Sequence, residues 1–202
     1  MNRIHSTVTF AFGAALAASS VLAQPASGTD APTRPQAPGT RTPQPMTSDN
    51  AQRSMLERDD RSFLENAVQG SHAEIEGSKL ALEKSESQEV KDFARKMIDD
   101  HEMMVKEAAD LASKKGLTPP DGPSIMQKTE ITGLKALSGG AFDTMYVNRI
   151  AVAAHESTVE MFEEASKEAQ DPDVRALASK ALPTLREHLE MGRALNEKQD
   201  SK

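Results

Sequence analysis

Three histidines and one glutamate stand where this sequence would otherwise put apolar side chains. His101, His155 and His188 each fall on an apolar stripe of helical period, and Glu74 falls on a fourth. Imidazole and carboxylate can hold a metal, carry a proton or accept a hydrogen bond. Buried without a partner, each would cost roughly 1–3 kcal/mol, so they must pair with one another, with water or with a metal. If the partner is a metal, a histidine-rich set suits zinc or copper. A di-iron carboxylate centre is not expected. The residues three before the histidines are Ile98, Val152 and Leu185, and no Glu-x-x-His occurs in the chain. Met97 and Met104 flank His101, and Met191 follows His188 by three residues. Thioether with imidazole could hold Cu(I); gap-filling in a core is the competing role. Asp100, Glu102, Glu156 and Glu187 fall off the stripes, as solvated acids or as groups backing the histidines.

Four helices must position these groups. The first is expected to start at a Ser62-Phe63-Leu64-Glu65 capping box and to end near Lys84. The second starts near Ser85 or Ser87 and ends at Lys114-Lys115-Gly116. The third runs from after Ser138-Gly139-Gly140 to about Ala169, and the fourth from Asp171-Pro172 to about Glu197. Their stripes read Phe63, Ala67, Gly70, Glu74 and Ala81; Val90, Ala94, Met97, His101, Met104, Ala108 and Leu111; Met145, Val152, His155, Val159 and Phe162; and Val174, Ala178, Ala181, Leu185, His188, Gly192 and Leu195. Within each hairpin, the polar groups lie at nearly equal distances from the connecting loop. At ~1.5 Å rise per residue they should meet near mid-height. Pro183 interrupts the fourth helix five residues before His188, which should bend it and free a carbonyl near Ser179.

Helices one and two, and three and four, are joined by short links, which make antiparallel hairpins. A long segment, Gly116 to Gly139, separates the pairs and holds a short helical stretch around Ser124 to Leu137. The fold expected is all-α: a ferritin-like four-helix bundle of two antiparallel hairpins joined by a long crossover containing a short helix. Two hairpins on a loose linker are the other topology.

Composition bounds the function. The net charge is -7, and no basic stripe is interleaved with aromatics, so nucleic acid is not an expected partner. Cysteine is absent, which excludes thiol catalysis and iron–sulfur ligation. No Gly-rich phosphate loop or Ser/His/Asp arrangement is visible. Residues 1–23 read as a signal peptide with Arg3, an apolar Val8 to Ala18 stretch and a cut after Ala23. Residues 24–55 are rich in Pro, Ala, Thr, Gln and Ser and read as a disordered tail. Residues 56–198 form the helical domain. The location implied is periplasmic or secreted, with no membrane-crossing helix in the mature chain.

The chain also resembles a bacterial family known only as domain of unknown function 4142. The matching pieces are Ala73-Glu74-Ile75-Glu76 with Lys79-Leu80-Ala81, Val90-Lys91-Asp92-Phe93-Ala94 through Asp100-His101, Phe142-Asp143 with Tyr146, His155-Glu156, and Leu182-Pro183-Thr184-Leu185 with His188-Leu189. Gly77-Ser78 stands where the family pattern has Leu-Gly. The resemblance implies a ferritin-like fold and an envelope location but no established reaction. Three functions compete. The first is a non-catalytic envelope protein with a stress-related or interaction role. The second is a periplasmic zinc- or copper-binding protein with Glu74, His101, His155 and His188 as ligands. The third is a metal-dependent redox enzyme; the reading leans away from catalysis. Envelope proteins or a second copy of the chain are the partners considered. Expression of the full chain in a bacterial host should yield a mature protein beginning at Gln24, read by intact mass.

Overall fold

The structure, a computed structural model, describes residues 56–201. The expected signal peptide and Pro-rich tail lie outside the described residues. All regular secondary structure within them is helical: α1 (Arg58–Lys84), α2 (Gln88–Lys114), α3 (Ile125–Lys135), α4 (Gly139–Tyr146), a π segment (Val147–Ala154), α5 (His155–Glu168) and α6 (Pro172–Asp200). The last turn of α4, the π segment and α5 follow one another without a break.

The end signals act largely as the sequence indicates. Ser87 caps α2 by accepting the Val90 N–H, and Asp171 caps α6 by accepting the N–H groups of Asp173 and Val174. Gly116, at φ 79°, ends α2 in the left-handed conformation that glycine tolerates. In the long connection, Ser124 and Gln127 close a full capping box on α3. The first helix departs from expectation. It begins at Arg58, one turn before Ser62, and Glu57 at its N-cap makes no side-chain cap bond. Asp60 explains the extension: it is buried, and its carboxylate accepts the backbone N–H groups of Gln170 and Asp171 at 3.1 and 2.6 Å. The start of α1 is thus fastened to the α5–α6 turn. Lys115, bonded to Asp171 and Asp173 at 2.7 Å each, fastens the end of α2 to the same turn.

α1 packs most extensively on α2, and α5 with the π segment on α6; α2 also meets α6, and α1 meets α3, α4 and α5. The interior divides into two apolar clusters. One holds Phe63, Leu64, Val68, Phe162, Val174 and Leu185, with Phe63 and Phe162 edge to face at 4.8 Å. The other holds Phe93, Met97, Phe142, Tyr146, Ile150 and Leu195, with Phe142 stacked on Tyr146. Ser78 and the Tyr146 hydroxyl share a buried hydrogen bond of 2.8 Å. Between the clusters, in chain position on every long helix, lie Glu74, His101, His155 and His188.

The π segment corrects the third stripe. Met145, expected inward, is exposed, whereas Phe142, Tyr146, Val147, Ile150 and Ala151 are buried. A π-helix takes more than four residues per turn, so inward positions recur at 143, 147, 151 and 155 instead of at the 3.6-residue spacing. Pro183 and Ser179 both lie on the exposed face of α6, so the carbonyl freed by the proline is turned away from the histidines.

Gly192, one turn beyond His188, carries the closest packing. A Cβ built there would sit 2.3 Å from the Ala151 carbonyl oxygen in the π segment. Gly→Ala in a helix ordinarily stabilises by up to about 1 kcal/mol. Here Gly192→Ala should instead destabilise by about 1–3 kcal/mol as two backbones are forced apart, measured as a fall in the thermal midpoint by circular dichroism.

Candidate metal centre

Each histidine is delivered by a different rod and held in the same way. His101 comes from the middle of α2, His155 from the junction of the π segment with α5, and His188 from the middle of α6. All three are essentially inaccessible, at 0–1 % exposure, and Glu74 of α1 is 3 % exposed. The imidazole centroids lie 5.3–5.6 Å apart, and each ring offers a nitrogen within 4.8 Å of those offered by the other two.

One nitrogen of each ring is anchored to an oxygen. His155 Nδ1 turns back on the π segment and donates to the Ile150 carbonyl at 2.9 Å. His188 Nε2 donates to Asp100 Oδ2 at 2.7 Å. His101 Nδ1 lies 3.1 Å from Glu74 Oε2 and 3.5 Å from Ser71 Oγ. A carbonyl and an ionised carboxylate only accept, so the network assigns the protons to His155 Nδ1 and His188 Nε2. The other nitrogens, His101 Nε2, His155 Nε2 and His188 Nδ1, are buried with no hydrogen-bond partner. Each imidazole is orientated by an oxygen behind it; His155 and His188 thereby keep a free lone pair on the other nitrogen, and His101 offers one at Nε2 when its proton sits on Nδ1 facing Glu74, which together match the donor arrangement of a transition-metal site.

The electrostatics keep the rings neutral. Burial drives His101 well below its ordinary range, and the like charges of His155 and His188 add to this. Burial likewise lowers His155, to about 4, against the opposing Ile150 carbonyl bond. His188 is lowered by burial, with Asp100 pulling the other way. At neutral pH, therefore, no proton has to leave an imidazole before it can ligate. Burial pushes Glu74 up to about 8, so its carboxyl is largely protonated in the metal-free protein.

Sequence reasoning brings these four residues to one place, but the structure puts Glu74 behind two rings. Its Oε1 lies 3.6 Å from His155 Nδ1 and Oε2 lies by His101 Nδ1. Both are contacts to the anchored nitrogens and not to the free ones. Asp100, one of the acids the sequence left between solvent and histidine, backs His188 and is itself held by Lys96 at 3.1 Å. Burial alone would raise Asp100, but the bonds from His188 and Lys96 outweigh it and hold the carboxylate below its usual value. The other off-stripe acids pair elsewhere: Glu102 approaches Lys79, Glu156 holds Arg193 and Glu187 holds Lys96. Met97 and Met191 belong to the cluster around Phe93, and Met104 packs on the other cluster while lining a cleft beside His101.

The family model named "Domain of unknown function (DUF4142)" matches residues 45–195, and the chain belongs to that family. Two solved structures share the fold. A fragment of DUF305 from Deinococcus radiodurans aligns with a TM-score of 0.62 at 16 % identity, covering 71 % of this chain and 99 % of that one. CopM in its Cu(II)-bound form aligns with a TM-score of 0.56 at 20 % identity, covering 69 % of this chain and 96 % of that one. No curated protein matches the chain significantly. No helix among the described residues is long and apolar enough to cross a membrane.

Removing the oxygen behind His188 isolates the value of this anchoring. Asp100→Ala should cost about 1.5–3 kcal/mol of stability, the range for hydrogen bonds to a charged group, measured by urea unfolding of metal-free protein at neutral pH. Asp100→Asn, which keeps an acceptor, should cost less.

Proposed function

We propose that this DUF4142 protein is an exported, non-catalytic metal-binding protein that holds one zinc- or copper-class ion through His101, His155 and His188. The observation that carries the reading is the set of three buried imidazole nitrogens, one per histidine, with no partner among protein atoms. Water or an ion must satisfy them, and three neutral imidazoles in an apolar interior are good ligands for either metal. Zinc–nitrogen bonds of ~2.0–2.1 Å place tetrahedral ligands ~3.4 Å apart. The rings, offering nitrogens within 4.8 Å of one another, would thus close their separations by up to about 1.4 Å on binding. Glu74 and Asp100 serve as the carboxylates that orientate His101 and His188, and Ile150 serves His155. Glu74 becomes a fourth ligand if its carboxyl swings toward the ion.

The wider setting is part of the same reading. In this reading residues 1–23 act as a signal peptide cut after Ala23, the protein works in the periplasm or outside the cell, and residues 24–55 serve as a tail ahead of the domain. Two α-hairpins joined by a long crossover with α3 inside it form a ferritin-like four-helix bundle, supported by the three-residue α1–α2 link and the α5–α6 packing. The Cu(II) carried by the structurally similar CopM makes copper the first ion to test. A second reading has its own observation: each histidine already has one oxygen partner, so the layer could serve only to fix helix register in a stress or interaction protein.

The experiment is metal analysis of the mature chain purified without an affinity tag and challenged with copper, zinc, iron and manganese in turn. About one equivalent of copper or zinc is expected. Less than roughly a tenth of an equivalent would leave the register role. His155→Ala should abolish tight binding, since losing one of three ligands removes a third of the donor set; unchanged uptake would put the ion elsewhere.

A further inference from the structure

The cluster is sealed on most sides, which raises the question of how an ion reaches it. A groove of about 1010 Å³ lies between α1, the beginning of the α3 region and the π segment with α5. Its walls include Glu74, which is buried and whose Oε1 has no hydrogen-bond partner. A narrow cleft continues from it toward His101. The two spaces share Asn66, Gly70, Glu74, Thr158 and Met161 as walls, and the cleft adds Met104 and His101 itself. The cleft offers about 10 Å³, the room of about one water-sized sphere. Gly70 occupies a predicted core position yet has no atom within 4 Å of a Cβ built on it, so the passage is open at that point. On the rim, Ile125 and Met126 are 86 % and 78 % exposed.

We propose that this groove and cleft form the port of the metal centre, with Glu74 as the residue that passes the ion between solvent and the histidines. The proposal rests on the metal-binding reading above. The cleft admits a bare ion but not a hydrated one, so the shell of water must be exchanged in the groove. Asn66, Met161 and Glu74, which line both spaces, supply oxygen and thioether donors along the way. The opposite approach, past His188, is closed. Asp100 covers that ring, and Lys96, bonded to Asp100 and Glu187, lies across the outer side of Asp100.

A plug at Gly70 tests this. Gly70→Leu places a side chain in the passage at a position that is not itself a ligand, and Gly70→Ala is the control that fits with room to spare. In the full mature chain, zinc loading and zinc release to an excess of a coloured chelator should both slow by about tenfold or more in Gly70→Leu, with affinity unchanged within about threefold, as blocking a gate alters rates and not the equilibrium. Thr158→Phe, a plug from the opposite wall, should give the same result. A second readout needs no metal. A hydrophobic carbodiimide, which fits the groove and not the cleft, should label Glu74 from the groove side in the wild type, located by peptide mass spectrometry, and both plugs should prevent it by covering Glu74. Rates and labelling unchanged in both folded plugs, or faster exchange in Lys96→Ala, would overturn the port. A wild type that takes up no zinc but shows plug-sensitive labelling would refute the metal reading and keep the passage. Absence of labelling in the wild type would refute the passage.

Discussion

The structure depends on how polar groups are accommodated in the middle of an apolar interior. Three imidazoles and a carboxyl sit between two hydrophobic clusters, out of reach of water on nearly every side. The protein meets half of the demand with its own oxygens: a backbone carbonyl for His155, an aspartate for His188, a glutamate and a serine for His101. It leaves the other half unmet. That asymmetry distinguishes the layer from a saturated hydrogen-bond network, in which both nitrogens of a ring find partners. It also fixes the helices relative to one another, because each anchoring oxygen for His101 and His188 comes from a neighbouring helix.

The anchoring oxygens differ in kind, and the differences follow from local structure. His155 is served by its own helix, which is possible because the backbone before it is wound as a π segment and offers the Ile150 carbonyl to the ring. The same winding brings Ala151 against Gly192, so the π segment and α6 approach closely beside the layer. His188 is served from the surface side through Asp100, whose charge is balanced by Lys96. His101 faces the interior carboxyl of Glu74, which burial keeps largely protonated. One site is thereby built from a neutral, a charged and a protonatable partner.

Much of this was legible in the sequence. The start of α2 near Ser85 or Ser87, the cap at Asp171, the glycine stop at Gly116 and the stripes of α1, α2 and α6 all follow from periodicity and local chemistry, and they suffice to bring His101, His155 and His188 to one level. Three features were not legible. The π segment has no composition of its own, so a single helical period carried back from His155 put Met145 inside and left Phe142, Tyr146 and Ile150 unassigned. The early start of α1 depends on Asp60 meeting backbone N–H groups more than a hundred residues away, a contact that local pattern cannot report. Asp100 sits off the apolar stripe, and only the approach of α6 shows that it backs a histidine.

The buried Ser78–Tyr146 pair has a use outside packing. The chain contains one tyrosine and no tryptophan, so emission excited beyond the absorption of phenylalanine arises from a single ring. That ring is fully buried, hydrogen-bonded to the residue one helical turn beyond Glu74, and close enough to feel that carboxyl when it ionises. The chain thus carries one tyrosine as an optical probe beside its polar layer, in a background of phenylalanine alone. Events at the layer can be followed by the light of the unmodified protein.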